Sequence, residues 1–232
     1  MFGSDNRFPL IGTCSSPQRN NMTDYPDDIF SEQDDIDVDT LANLGPLRAL
    51  AGVWEGLKGL DVNPNIDGSG RQAYLEHIEL QPIDPQSNGP QLLYGLRYHS
   101  HITKPGEVGT YHDQVGYWLW EPATEMLSHS LTIPRGQTVL AKGNAPADAT
   151  TFEVVAARGS TENGISSIAF LEHAFRTDAF KMAVTINPDG TWSYFEDTVL
   201  KVRGRDEPFH HADRNTLTKI AEPTPNPLAS ES

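Results

Sequence analysis

The sequence predicts an all-β chain: an antiparallel up-and-down barrel of about ten strands, with a short helix before the first strand. Three observations lead there. Apolar and polar residues alternate in run after run from Trp54 onward, as in Leu96-Arg97-Tyr98-His99. Turn dipeptides punctuate those runs at Asp67-Gly68, Asn88-Gly89, Asn163-Gly164 and Asp189-Gly190. Helical spacing is confined to the residues before Gly52, so no strand-helix-strand unit is expected. A long antiparallel meander removes its edges by closing on itself, and a two-sheet sandwich is the competing architecture.

In chain order, residues 1–40 read as a disordered acidic leader. Ser, Asn, Asp and Pro predominate there, and the stretch from Asp24 to Asp39 holds eight acidic residues and no basic one. The barrel is assigned to residues 41–221 and a flexible, Pro-rich tail to 222–232. Leu44, Leu47, Leu50 and Ala51 share one face at helical spacing, and Gly52 ends the pattern. Trp54, set between Gly52 and Gly56, suits a strand entering a barrel: the indole plugs one end and the glycines admit a neighbouring backbone. Strand patterns follow over 74–81, 91–102, 111–120, 126–133, 137–141, 151–157, 166–176, 180–186, 192–202 and 214–220. Asn187-Pro188-Asp189-Gly190, between two alternating runs, predicts a hairpin.

Composition narrows the function. The 232 residues are 37% hydrophobic, enough for one core, and contain no apolar run of membrane-spanning length. A net charge of −15 argues against nucleic acid and against anionic membrane surfaces as partners. Cys14 is the only cysteine, which excludes an intrachain disulfide and a cysteine-based zinc site. With no secretory signal in the first twenty residues, a cytoplasmic setting is expected, as a monomer or a homodimer.

Candidate chemistry rests on eight histidines. His99 and His101 lie two apart on one strand and point the same way, an arrangement that serves a metal only with a third ligand nearby. His210 and His211 are adjacent, so in a strand only one can face a given pocket. Glu76, Glu79, Asp113, Glu172 and Asp197 form no carboxyl pair whose separation can be inferred. No nucleophile elbow, phosphate loop, dinucleotide fingerprint or zinc-protease motif is present. The residues by themselves describe a ligand-binding barrel.

One family fits the order of these motifs. Leu44-Gly45-Pro46-Leu47, Gly52-Val53-Trp54-Glu55-Gly56, Gln114-Val115-Gly116-Tyr117-Trp118 and Leu171-Glu172-His173-Ala174-Phe175-Arg176, followed by a histidine-bearing last strand, resemble the nitrobindin family over roughly Leu41 to Ala221. The resemblance implies a ten-stranded barrel like that of lipocalins and fatty-acid-binding proteins, holding haem b through one histidine. It also implies nitric oxide binding and isomerisation of peroxynitrite to nitrate at ferric iron. On that basis His211 is the expected iron ligand and metal-binding residue, with His210, Trp54, Gly52 and Gly56 as further cofactor-site candidates. Two departures stand out. The family's next glycine is displaced past Leu57 to Gly59, and counting back from Leu217 without a gap puts the family's histidine at Ala212. A one-residue bulge before Asp213 brings His211 to that place, and His210, in phase with Ala212, is the alternative. The second functional reading is a non-enzymatic barrel for a fatty acid or another hydrophobic small molecule, anchored by an interior polar group such as Arg97.

Overall fold

The segment ahead of the first strand folds as a plug. In the computed structural model, which describes residues 26–231, helix α1 (Thr40–Asn43) runs into a 3-10 turn (Gly45–Leu50), and Leu44, Leu47 and Leu50 are fully buried. Asp39 caps α1 by accepting the amide of Ala42 at 3.2 Å. Pro46 in the first turn suits the short 3-10 form, whose opening amides need no partner. The sequence expectation of a helical stretch before Gly52 is met, in a tighter winding.

The strands are β1 (Gly52–Asn65), β2 (Gly68–Pro82), β3 (Gln86–Asn88), β4 (Gln91–Thr103), β5 (Thr110–Glu121), β6 (Met126–Ile133), β7 (Gln137–Asn144), β8 (Thr151–Ala157), β9 (Ile165–Ser167), β10 (Phe175–Ile186), β11 (Trp192–Val202) and β12 (Phe209–Ala221). All pairings are antiparallel, and β2 pairing with β4 closes a barrel of ten strands, β3 and β9 lying outside the ring. Closure decides against the sandwich. One seam is thin: β7 and β8 share a single ladder pair, Lys142 with Val155, and β9 covers the gap by pairing with Gln137 to Val139.

One element departs from the expected strands. Residues 166–176 divide into β9, a helix α2 (Ala169–Ala174) and the start of β10. Ala-Phe-Leu-Glu-His-Ala is rich in helix formers, and Leu171 alone of the six is buried, so local propensity prevails over an alternation that spans only three apolar residues. The Asn187 to Gly190 turn forms as predicted, with Gly190 at φ 83° donating its amide to the Asn187 carbonyl.

At the plugged pole Trp54 is 1% exposed, donates its indole N–H to the Leu50 carbonyl at 2.8 Å and meets Trp192 edge-on at 6.2 Å. The chain on both sides of the barrel is clasped here too. Asn226, 1% exposed, donates to the Val38 carbonyl and to Asp84 Oδ1, and accepts the Thr40 amide. Residues expected in the leader and in the tail therefore lie against the barrel from about Ile29 to Thr40 and from Thr224 to Leu228. The earlier leader, with Cys14, lies outside the described residues. Among the described residues no helix is long and apolar enough to cross a membrane.

Candidate functional site

β1 carries the chain from the plugged pole to the opposite, open one, and its irregularity decides what faces inward there. Gly56 pairs with Glu76 and Gly59 with Tyr74, so β1 holds one residue more than β2 over this step: a bulge at Leu57-Lys58. The bulge accounts for the displaced glycine. Gly59 meets the Tyr74 ring where a Cβ would stand 2.1 Å from it, and Gly56 likewise lies against the Asn215 side chain. Two residues past Gly59, Asp61 points into the barrel and is 3% exposed.

No bulge interrupts β12 where one was expected. Its register with β11 is continuous from Leu217 opposite Trp192 to Phe209 opposite Leu200. His211, Asp213, Asn215 and Leu217 share the inward face by simple alternation. His211 reaches the interior without a slip, and Ala212 takes the other face. His210 stands on the outside, 65% exposed in its side chain, with Asp197 at 2.8 Å.

The interior holds a cavity of about 400 Å³. Its walls differ in kind. Toward β6, β7 and β10 it is apolar, with Leu131, Ile133, Val139, Phe180 and Met182, and α2 adds Leu171 at the mouth. Toward β1, β2, β11 and β12 it is acidic, with Asp61, Glu76, Glu196 and Asp213. His211 Nε2 lies 3.0 Å from Asp61 Oδ1 and 3.4 Å from Asp213 Oδ2. Asp61 Oδ2 also accepts from Asn63 Nδ2 at 2.8 Å and from the Tyr111 hydroxyl.

Electrostatics follow from this packing. Burial works to raise Asp61, but hydrogen bonds from His211, Tyr111 and Asn63 outweigh it and hold the carboxyl below its usual range. Burial opposes a charged His211, yet the Asp61 hydrogen bond and the charges of Asp213, Asp61 and Glu196 raise it. Burial pushes Asp213 up to about 7 and Glu196 up to about 8, the neighbouring carboxylates adding to the effect. Deeper in, Glu76 is satisfied by Ser100, Tyr194 and Asn215. His129, stacked on Trp118 at 3.9 Å, is pushed down to about 3 by burial. Gln114 donates to the Tyr98 hydroxyl, which shares a hydrogen bond with His129 Nε2 at 2.9 Å. His129 Nδ1 and the Trp192 indole N–H are buried without a partner among the described residues.

Of the site residues expected from sequence, the structure brings only His211 to the cavity wall. Trp54, Gly52 and Gly56 pack the barrel between its plugged pole and the cavity floor, and His210 is on the outer surface. Arg97 is exposed on the outside and anchors nothing in the interior; Arg135, at the mouth, is the guanidinium that borders the cavity. His99 and His101 are also outside, held by Asp113 and Thr110. An open groove of about 940 Å³ crosses the outer face over Val115, Tyr117 and Leu140. Asp61, His211 and Asp213 are the one group of three metal-ligating side chains among the described residues, which directs the chemistry to the interior. Sequence reasoning missed Asp61, Tyr111 and Glu196. A legible signal existed in His211-Ala212-Asp213, two polar groups on one face of a strand whose next inward residues are Asn215 and Leu217.

A haem-bearing site needs an imidazole facing a cavity, its ring held by an outer hydrogen bond, and an apolar wall for the macrocycle. His211 faces the cavity, Asp61 holds its Nε2 and leaves Nδ1 as the nitrogen free for iron, and the β6–β7–β10 wall is apolar, so the residues fit the group.

Comparisons with known proteins agree on the architecture. A search of curated proteins gives no match. Among solved structures, the crystal structure of Rv2717c from M. tuberculosis superposes with a TM-score of 0.54 at 20% identity, covering 78% of this chain and 96% of that one. Identity this low speaks for the fold alone. The model of the THAP4-like, heme-binding beta-barrel domain matches residues 43–219, and the chain therefore belongs to that family, the nitrobindins.

Proposed function

We propose that the barrel binds haem b in its interior cavity with His211 as the iron ligand, and that the loaded protein binds nitric oxide and isomerises peroxynitrite to nitrate. One observation supports this above the others: His211 lies on the last strand, where the family resemblance sets the iron ligand, and its part-exposed ring faces the cavity beside Asp61. When bound, the haem supplies a ferric iron with a position free for a small ligand. The chain's part is to hold and orient. Asp61, itself fixed by Tyr111 and Asn63, holds the His211 ring, and Leu131, Ile133 and Phe180 keep water from the opposite side. The acidic wall suits the positive charge of the iron. It does not suit a fatty-acid carboxylate, which would find four carboxyls and, at the mouth, Arg135.

The test is a haem titration followed by absorbance in the Soret region, with His211→Ala and His210→Ala alongside. A sharp, saturable band that survives in His210→Ala and vanishes in His211→Ala is the expected result, and peroxynitrite decay is then measured on the loaded protein. A broad, unsaturable shift that neither substitution changes removes the reading.

A further inference from the structure

We infer that Asp61, His211 and Asp213 form a site for a divalent transition-metal ion, Zn²⁺ by the chemistry of the set, in the haem-free barrel. The inference does not rest on haem binding, although both ligands would claim the same imidazole.

Spacing is the first argument. Nε2 of His211 stands 3.0 Å from Asp61 Oδ1 and 3.4 Å from Asp213 Oδ2, and the three ligand atoms all lie within 4.8 Å of one another. Around a tetrahedral ion with bonds of about 2.0–2.1 Å, adjacent ligand atoms are about 3.3 Å apart. The two separations from His211 thus match that spacing, and the two carboxylates need at most a small closure toward each other. Strand geometry keeps them there: Asp61 and Asp213 are register partners across β1 and β12, and His211 and Asp213 are two apart on one inward face.

Unbalanced charge is the second. Three carboxyls, those of Asp61, Asp213 and Glu196, face this corner of the cavity, where, among the described residues, His211 is the one cationic side chain in contact with any of them, His112 and Arg135 lying further along the wall. Among the described residues Asp213 has no polar partner but His211, and Glu196 has Thr198 Oγ1 at 3.5 Å and no cation. Enclosed carboxyls left this way need either a proton or a metal. Asp61 is arranged for the second outcome. Tyr111 and Asn63 occupy its Oδ2, leaving Oδ1 toward His211, as an outer shell orients a ligating carboxylate.

Donor type selects the ion. One imidazole with two carboxylates suits Zn²⁺, Mn²⁺ or Fe²⁺, whereas Ca²⁺ asks for six to eight oxygens and a looser cage. Three protein ligands leave a position toward the cavity for water or a ligand atom, the pattern of an open rather than a purely structural zinc site.

The experiment is calorimetric titration of the haem-free full chain with Zn²⁺, with Ca²⁺ as control, for wild type, Asp213→Asn and His211→Ala. Uptake of one Zn²⁺ per chain, weakened at least tenfold in both variants and absent with Ca²⁺, is expected. No uptake by the wild type, or equal uptake in all three proteins, overturns the site. Should a variant misfold, the wild type alone decides: Zn²⁺ must raise its unfolding midpoint and a chelator must reverse the rise. Haem is titrated into the same preparation. A chain that takes Zn²⁺ and refuses haem keeps this inference and removes the haem reading, and the converse result does the opposite.

Discussion

The two poles of the barrel are built on opposite terms. At the plugged pole nearly every large group is matched: Trp54 has Leu50 and Trp192, Asn226 has three partners, and the leucines of the plug are sealed from water, with the Trp192 indole N–H the exception. At the open pole the acidic wall holds carboxyls that the chain itself does not neutralise. The first arrangement gives stability. The second gives stability away and makes sense where a ligand supplies the missing charge.

That contrast can be broken at its stronger side first. Trp54→Ala removes a fully buried indole from the plugged pole and is expected to cost about 3–5 kcal/mol, read as a lower denaturant midpoint with any metal or haem affinity of the folded fraction retained. Loss of ligand affinity at unchanged stability would mean that the poles are not separate in function.

pH sharpens the contrast because Glu196 on the acidic wall and His129 on the apolar one shift stability with opposite slopes. Glu196 has a raised folded pKa, so its contribution favours folding at low pH and is lost as pH rises through about 8. Glu196→Gln should therefore stabilise the ligand-free protein by about 1–2 kcal/mol at pH 8 and by much less at pH 5. His129 has a depressed folded pKa, so its contribution is present above about 6.5 and declines as pH falls toward about 3. The stability gap between wild type and His129→Phe should shift by about 2 kcal/mol in favour of the variant between pH 7 and pH 5. Chemical denaturation of both variants at these pH values tests the signs. Slopes of the same sign for the two would refute the division into walls.

The most local effect belongs to the clasp. Asn226→Ala removes two donated hydrogen bonds and one accepted, and should cost about 1–3 kcal/mol, with faster amide exchange confined to residues near Val38 and Thr40. Exchange that quickens equally at the Asp61 corner would show that the clasp governs the cavity too.

Much of this architecture was legible in the sequence because period-2 alternation and turn dipeptides act locally. The strand bounds 126–133 and 192–202 match the structure, as does the turn at Asn187 to Gly190. Helix α2 was not legible, since Leu171, His173 and Phe175 satisfy a strand pattern as well as a helical turn and only packing separates them. The site was legible by half. His211 could be named, but its inward face followed from alternation with Leu217, while the extra residue lay in β1 at Leu57-Lys58. Asp61 was hidden for the same reason: its inward orientation depends on that bulge, and its partner is 150 positions away in sequence.

The clasp at Asn226 has a topographic consequence. Because Val38 and Asn226 are hydrogen-bonded, the chain enters and leaves the ring at one pole, opposite the mouth. A surface tether attached there would leave the rim turned outward, with exchange through it unobstructed by the anchor.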